Sequence, residues 1–219
     1  MNKEAVLSIS GGLDSTSLLI HLLNKSYDKI HAISFYYGQK NELELNKLEL
    51  NIKYLKSYKF DVNHTYMNLS SFMGKFNSSL TSKGIYVPTG KTDENKMKSN
   101  FVPNRNAIFS SLIYGYAVSL VKEKDVHVDI GLGVHDGSHI IPPDCTRQFF
   151  DKLESAFKEG NVESDKINYY LPYVDGYKHL IVEDAIKCCD NLELDSKTIF
   201  RNTLSCYHPN DKGESCGKC

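Results

Sequence analysis

The sequence has few prolines and glycines, no long apolar run and no excess of charge of either sign. Six prolines and 14 glycines among 219 residues are too few for a fibrous or low-complexity chain. The 26 Lys and Arg residues nearly balance 27 Asp and Glu residues, so the formal net charge is -1 and gives no support for broad nucleic-acid binding. No apolar run is long enough for a signal peptide or a membrane span. We therefore expect a cytoplasmic protein that acts on small molecules, without nucleic-acid or membrane partners.

The length and composition fit one globular α/β domain with a small appendage. Hydrophobic residues make up 41% of the chain and charged residues 24%, as in an ordinary soluble domain. Three of the six cysteines, Cys206, Cys216 and Cys219, crowd the C-terminal end, which in an intracellular protein indicates a metal site more than disulfides. We predict a main domain over residues 1–200 and a cysteine-rich segment over residues 201–219.

Apolar runs typical of strands alternate with helical patterns along the chain. The first run leads to two glycines, after which leucines recur at helical spacing. This alternation predicts a Rossmann-like parallel sheet with helices on both faces, in which ligands bind where the strands end. The polar stretch 70–100 has no sustained period and is interpreted as a mobile loop over a site. Strands are predicted at 5–9, 30–36, 63–69 and 126–134, and helices at 42–58, 107–121 and 181–189.

The two glycines after the first strand belong to a segment suited to phosphate. Gly11 and Gly12 let the backbone approach an anion, and the helix that opens at Asp14 offers free amides and the positive end of its dipole. The segment lacks the Gly-Lys-Ser/Thr ending of a Walker loop. The alternative is a tight turn in which Asp14 or Ser15 caps the helix. We predict that ATP binds to Ile9, Ser10, Gly11, Gly12, Leu13, Asp14, Ser15, Thr16 and Ser17.

Residues 10–16, Ser-Gly-Gly-Leu-Asp-Ser-Thr, resemble the pyrophosphate loop of the N-type ATP pyrophosphatases. Those enzymes cleave ATP between the α and β phosphates and attach AMP to a substrate oxygen. Further stretches, which together span nearly the whole chain, resemble the 7-cyano-7-deazaguanine synthase family. They are Phe-Tyr-Tyr-Gly-Gln-Lys at 35–40, Phe-Val-Pro-Asn-Arg-Asn at 101–106, the stretch 133–145 and the cysteine-bearing stretch 203–219.

The resemblance implies an ATP-dependent carbon-nitrogen ligase of queuosine and 7-deazaguanine biosynthesis. In that reaction 7-carboxy-7-deazaguanine is adenylated, ammonia displaces AMP to give an amide, and a second adenylation allows elimination to 7-cyano-7-deazaguanine. The implied cofactors are ATP, Mg2+ near Asp14, and Zn2+. Two alternatives stay open: a relative that passes the acyl group to another amine, including one on a protein, and a nucleotide-binding module without activity. The sequence does not fix the oligomeric state, and a homodimer stays open.

The predicted catalytic residues are Asp14, Lys40 and Arg105. Arg105 is a permanent planar cation that suits a phosphate or a carboxylate, and Lys40 could neutralise the departing pyrophosphate. For both cations the alternative is a solvated surface residue.

Substrate-binding candidates come from the ends of the strands and from the resembling stretches. Tyr37 could stack on a purine-like ring or belong to the core, and His135 could bind substrate, carry a proton or only be hydrogen-bonded. Asp144 could accept hydrogen bonds from a guanine-like edge, whereas the neighbouring Cys145 is interpreted as a packed thiol. His139 is interpreted as hydrogen-bonded. The predicted set is Tyr37, Arg105, Asn106, His135 and Asp144.

The resemblance is incomplete at one place. Where the family has Tyr-Pro-Asp-Cys-Arg, residues 142–146 read Pro-Pro-Asp-Cys-Thr, so an aromatic hydroxyl and a fixed cation are missing unless Arg147 replaces the cation. The nitrile is still the predicted product, with the amide or an amine conjugate as the alternative.

The terminal cysteines are the predicted zinc ligands. Cys216 and Cys219 are spaced as Cys-x-x-Cys on a turn that contains glycine, which suits two thiolates on one tetrahedral ion, and Cys206 lies at a plausible loop distance. The resembling family has a fourth cysteine three residues further on. Here the fourth ligand would be His208, a water or a residue of a longer chain. Thiols without metal are the alternative.

Overall fold

The computed structural model describes residues 3–82, 84–88, 90, 93–135, 140–210 and 213–217. The strands are β1 (Lys3–Ser8), β2 (Lys29–Tyr36), β3 (Val62–Asn68), β4 (His127–Leu132) and β5 (Ile167–Tyr170). They form one parallel sheet in the order β3-β2-β1-β4-β5. The predicted α/β fold with a parallel sheet is confirmed, and β5 is an additional strand that the sequence pattern did not predict.

Eight α-helices are present in the described part of the chain. Those predicted at 42–58, 107–121 and 181–189 are all found. The helices are α1 (Leu13–Asn24), α2 (Leu43–Ser57), α3 (Ser70–Met73), α4 (Glu94–Asn100), α5 (Arg105–Lys124), α6 (Arg147–Gly160), α7 (Lys178–Asn191) and α8 (Ser196–Arg201). None of them combines the length and the apolar character that crossing a bilayer requires.

Two hydrophobic cores lie on opposite faces of the sheet. Val6 of β1 packs in one core with Ile113 of α5 and Phe150 of α6. The next residue, Leu7, packs in the other core with Leu18 of α1 and residues of α2 and α7. Successive strand residues point to opposite faces, so a sheet covered on both sides needs the continuous apolar runs seen in the sequence.

The strand order reverses at β1. This strand pairs with β2 on one side and with β4 on the other, while the chain reaches β4 only after β3 at the far edge. In open parallel sheets such a reversal leaves a crevice at the carboxyl ends of the two central strands. The loops that follow β1 and β4 therefore meet at the place where a ligand is expected.

The described part of the stretch 70–100 is more structured than the sequence predicted. It contains the short helices α3 and α4, and Leu80 and Val87 are buried in the first core. The backbone amide of Ser79 donates to the Ser99 carbonyl oxygen at 2.9 Å, and the Ser78 hydroxyl donates to the carbonyl oxygen of Asn100 at 3.1 Å. These bonds close the stretch on itself, so it forms a fixed wall beside the strand ends.

Candidate active site

The loop between β1 and α1 is held by its own serines. The backbone amide of Gly12 donates to Ser10 Oγ at 3.1 Å, and that of Ser10 donates to Ser15 Oγ at 3.2 Å. Neither Asp14 nor Ser15 caps α1, contrary to that alternative, because the N-cap residue is Gly12 and makes no side-chain cap bond. The N-terminus of this 12-residue helix carries the positive end of its dipole, which suits an anion.

Two glycines allow the close approach that shapes this loop. Gly11 has φ of 89°, and a Cβ at this position would lie 2.1 Å from the backbone oxygen of Glu44 in α2. A Cβ on Gly133, after β4, would lie 2.7 Å from the backbone nitrogen of Ser15. Both contacts are with backbone atoms, which cannot rotate away. Glycine is therefore required where the loop meets α2 and where the end of β4 meets α1.

A cavity of about 490 Å³ opens in front of the loop at the carboxyl ends of β1, β2 and β4. It brings together most of the predicted catalytic and phosphate-binding side chains with His135 and Tyr37. It is also lined by residues outside the predicted set, among them Glu44, Lys178 and Ser205. The predicted residues that line it are Ser10, Gly12, Asp14, Ser15, Tyr37, Lys40, Arg105 and His135.

Only one of the two carboxylate oxygens of Asp14 has a partner in the described structure. Its Oδ2 lies 3.3 Å from Lys178 Nζ and 3.9 Å from His135 Nε2. Its Oδ1 is buried and has no hydrogen-bond partner in the described structure. A buried, unpaired carboxylate oxygen is costly unless a ligand completes it, and a hard cation such as Mg2+ prefers oxygen ligands of this kind. The residues present therefore fit the implied Mg2+.

Arg105 links this cavity to its neighbours. Burial alone lowers the pKa of its guanidinium, but the Tyr37 phenol and the charge of Asp144 outweigh burial and raise that pKa, so Arg105 stays charged. Arg105 also lines an adjoining cavity of about 210 Å³, together with Asp144 and the aromatic rings of Phe101 and Tyr207. A fixed cation thus stands between a phosphate-binding loop and a second space with aromatic walls.

Tyr37 is packed rather than free to stack on a ligand. It is 8% exposed and meets the ring of Phe109 edge-on, with 5.5 Å between the ring centroids. Burial raises the pKa of its phenol. Tyr37 therefore belongs mainly to the core, with part of its surface on the cavity wall.

Asp144 and Asn106 are connected through the backbone. Asn106 Nδ2 donates to the Asp144 carbonyl oxygen at 2.9 Å, so Asn106 positions the short 3-10 helix Pro143–Cys145. The Asp144 side chain lines the 210 Å³ cavity and not the larger one. Burial and the nearby charge of Asp144 raise the pKa of the Cys145 thiol to about 12, which favours the interpretation as a packed thiol.

Arg147 does not replace the cation that residue 146 lacks. Its Nε donates to Asp175 Oδ2 at 2.6 Å, and it is absent from the residues lining the described cavities around Arg105. Thr146 instead caps α6, because its hydroxyl accepts from the Phe149 amide at 3.2 Å. The suggestion that Arg147 supplies this charge is therefore not supported by its position.

Lys40 and Lys178 both line the cavity and have different partners. Lys40 Nζ donates to the carbonyl oxygen of Ile85, which fixes it against the wall formed by the stretch 70–100. Lys178 is the first residue of α7 and reaches Asp14. Helices that follow parallel strands begin at the ligand-binding edge. No signal in the sequence points to Lys178, because the pattern does not predict β5.

The C-terminal segment packs directly on the phosphate loop. The Leu204 amide donates to the Gly11 carbonyl oxygen at 3.1 Å, and Ser205 Oγ accepts from the Leu13 amide at the same distance. An interaction that holds residues 204 and 205 in place, such as a bound metal ion, therefore also holds the phosphate loop.

Cys206 is placed as a thiolate ligand would be. It is buried, and its Sγ accepts from the backbone amides of Cys216 at 3.2 Å and His208 at 3.4 Å. Amide hydrogen bonds of this kind stabilise a thiolate, so the residues present fit the implied Zn2+. His208 Nε2 lies 2.8 Å from the Val87 carbonyl oxygen, so a bond from His208 to the metal would have to use Nδ1. Cys219 and His139 lie outside the described residues.

A separate group of potential metal ligands lies between α1 and α7. One ligand atom each from His21, Asp184 and Cys188 falls within 4.8 Å of the others. Both ring nitrogens of His21 are already bonded, one to Asp184 and one to the Tyr170 hydroxyl, each at 2.8 Å. The group is thus a complete hydrogen-bond network, and metal binding would require it to rearrange.

Comparison with known proteins identifies close relatives over the whole length. A family model described as "Queuosine biosynthesis protein QueC" matches residues 4–219. The chain is 35% identical over 219 residues to the 7-cyano-7-deazaguanine synthase of Pseudoalteromonas translucida, covering 100% of this chain and 90% of that protein. It is also 35% identical over 216 residues to the 7-cyano-7-deazaguanine synthase of Caldicellulosiruptor saccharolyticus, covering 99% of this chain and 86% of that protein.

Proposed function

The chain belongs to the QueC family of queuosine biosynthesis proteins, and on that premise we propose that it is an ATP-dependent carbon-nitrogen ligase that makes 7-cyano-7-deazaguanine. Its substrates are 7-carboxy-7-deazaguanine, ammonia and ATP. The observation that carries the proposal is Asp14 at the start of α1, whose Oδ1 has no described partner, in a cavity that is lined by the phosphate loop and that shares Arg105 with a second cavity.

The phosphate side of the reaction belongs to the 490 Å³ cavity. The loop amides and the serine hydroxyls bind the phosphates of ATP, while Lys40 and Lys178 neutralise the pyrophosphate as it leaves. Mg2+, when bound at Asp14 Oδ1, would neutralise phosphate charge further. A free carboxylate is a poor electrophile. When its oxygen attacks the α phosphorus and pyrophosphate leaves, the acyl adenylate that forms is electrophilic at the carboxyl carbon. The main work of these residues is to hold, orient and neutralise.

The deazaguanine ring occupies the adjoining 210 Å³ cavity. The aromatic rings of Phe101 and Tyr207 supply apolar walls for a flat ring, and the Asp144 carboxylate accepts hydrogen bonds from its N–H edge. Arg105 stands between the two cavities and pairs with the substrate carboxylate. This arrangement brings the carboxylate toward the α phosphorus of ATP.

The second adenylation uses the same two cavities as the first. Ammonia displaces AMP to give the amide, and adenylation of the amide oxygen then allows elimination to the nitrile. The relatives are named as synthases of the cyano product, which does not favour transfer of the acyl group to another amine. Localisation in the cytoplasm is part of the proposal, while the oligomeric state is left open.

The direct test is to incubate the protein with ATP, Mg2+, 7-carboxy-7-deazaguanine and ammonium, and to follow the products by mass spectrometry. We expect AMP and pyrophosphate to form only with the acid present, and the amide to rise and then fall as the nitrile accumulates. A time course in which the amide accumulates without nitrile, despite excess ATP and ammonium, would overturn the proposed product. Absence of acid-dependent pyrophosphate would favour a non-catalytic module.

We also propose that Cys206, Cys216 and Cys219 hold a structural Zn2+. The ion would fix the C-terminal segment, whose residues 204 and 205 bond to the phosphate loop. Metal analysis of freshly purified, reduced protein should give about one zinc per chain. Cys206→Ser should lose the metal and lower the melting temperature, because ligand binding is coupled to folding.

Cys188→Ser is the matched control for that experiment, since Cys188 is also buried but lies in the group between α1 and α7. It should retain the zinc. Loss of zinc in the Cys188 variant and its retention in the Cys206 variant would move the metal to that other group.

A further inference from the structure

Glu44 is a partly buried acid with no part in the steps described above. It lies near the start of α2 and lines both the 490 Å³ cavity and a smaller one of about 150 Å³ behind the phosphate loop. The backbone of Glu44 lies against Gly11, so its position is tied to the loop. Its carboxylate is therefore within the site.

The smaller cavity has the size and lining of a site for a small molecule. Its 150 Å³ has room for a few water-sized molecules and is too small for a nucleotide. Several walls are apolar, formed by side chains such as Phe109 and Leu132. Among the described residues lining it, Glu44 is the acid and Arg105 the base, and both also line the large cavity.

The groups around Glu44 are fixed by hydrogen bonds. Gln39 Oε1 accepts from the Tyr37 amide at 2.8 Å, and Gln39 Nε2 donates to the Phe35 carbonyl oxygen at 3.2 Å. This sets the orientation of the Gln39 amide beside the Glu44 carboxylate. The neighbours that face Glu44 are thus a neutral amide and a neutral phenol from the end of β2, and the guanidinium of Arg105 from α5.

We infer that Glu44 is the ammonium-binding residue and the general base of the amide-forming step, an assignment that rests on the proposed function. The ammonium ion enters the smaller cavity and pairs with the Glu44 carboxylate. The positive charge of Arg105 lies beside the bound ammonium and repels it. This repulsion favours loss of a proton from the ammonium, and neutral ammonia is then released toward the acyl adenylate.

The step balances as follows. The Glu44 carboxylate takes one proton from ammonium and becomes a carboxylic acid. The nitrogen lone pair of the ammonia forms a bond to the acyl carbon, the bond from that carbon to the phosphate oxygen breaks, and AMP leaves with the electron pair. The new C–NH3+ group loses a second proton to solvent and becomes the amide. No oxidant or reductant is required.

The electrostatics of the pocket suit this role. Burial raises the pKa of the Glu44 carboxyl to about 8, although Gln39 and Arg105 pull it the other way. A base whose pKa lies close to the working pH transfers protons most effectively. Because the pKa is raised, the carboxylate form is scarce well below pH 8 and grows as the pH rises through that value. The rate with ammonium should rise accordingly and then level off.

The test is Glu44→Gln, whose neutral amide has the shape of the protonated acid that already predominates at neutral pH, so the variant should fold. Pyrophosphate release with ATP and 7-carboxy-7-deazaguanine, without ammonium, should stay within about threefold of wild type. The kcat/KM for ammonium should fall roughly 100-fold, and the bend near pH 8 should disappear. Hydroxylamine is unprotonated near neutral pH and needs no base, so its rate should fall far less.

Glu49→Gln is the matched control, since Glu49 is exposed on the same helix, and it should behave as wild type. Glu44→Asp should keep the pH bend at a lower rate, which separates loss of the base from misfolding. Equal losses with ammonium and hydroxylamine, or unchanged kinetics for ammonium, would overturn the inference alone. Absence of acid-dependent pyrophosphate in the wild type would instead defeat the proposed function, and the inference with it.

Discussion

Replacing Asp14 by asparagine should lower the rate of ATP-to-AMP conversion by roughly 1,000-fold while leaving the fold intact. Asp14 Oδ1 is buried without a hydrogen-bond partner in the described structure, and Oδ2 lies 3.3 Å from Lys178 Nζ. Asparagine keeps the shape of the side chain but removes the charge that suits Mg2+ and orders Lys178. The substitution removes stabilisation of the transition state, in which negative charge develops on the phosphates. The rate of the chemical step should therefore fall more than the affinity for ATP.

The stability of that variant should change little. An unpaired buried carboxylate oxygen is itself destabilising, and the half-exposed pair with Lys178 contributes at most about 1 kcal/mol. AMP and pyrophosphate would be measured by chromatography and the melting temperature by circular dichroism. Asp151→Asn, on the exposed surface of α6, is the control and should be fully active. A folded Asp14→Asn protein that forms AMP at the wild-type rate would show that the loop is not the phosphate site.

The central part of the fold could be predicted from the sequence because its signals are local. β1, β2 and β4 are covered on both faces and therefore appear as mostly apolar runs, although Asp129 interrupts the one in β4. β5 reads Ile-Asn-Tyr-Tyr and is only four residues long, too short and too polar for a pattern to identify. The stretch 70–100 was interpreted as a loop because α3 and α4 are short and owe their positions to hydrogen bonds between distant residues.

In the candidate site, too, the residues that are close in sequence could be predicted and those brought together only by the fold could not. The phosphate loop is contiguous, so its glycines and hydroxyls could be recognised together in the sequence. Glu44 and Lys178 could not, because each is one charged residue among many on a helix whose other face is solvated. Only the meeting of α2 and α7 with the strand ends makes them part of the cavity.

Gly11→Ala should be the most damaging substitution of a small residue in this protein. A Cβ at position 11 would lie 2.1 Å from the Glu44 backbone oxygen, and φ of 89° is unfavourable for any residue with a Cβ. Together these effects should cost about 3 kcal/mol, or a fall of roughly 6–12 °C in melting temperature for a chain of this size. Relief of the overlap requires the loop or α2 to move by about 1 Å, which should lower the adenylation rate roughly 100-fold.

Gly84→Ala separates the two causes, because Gly84 has φ of 86° but an added Cβ there would meet nothing within 4 Å. That variant should lose only about 1 kcal/mol and keep its activity. Thermal melts and acid-dependent pyrophosphate release on both variants give the comparison. If the two alanine variants were equally stable and equally active, the contact between the phosphate loop and α2 would not hold the loop in place. The position of Glu44 in the two cavities would then need another support, because the same backbone contact sets both.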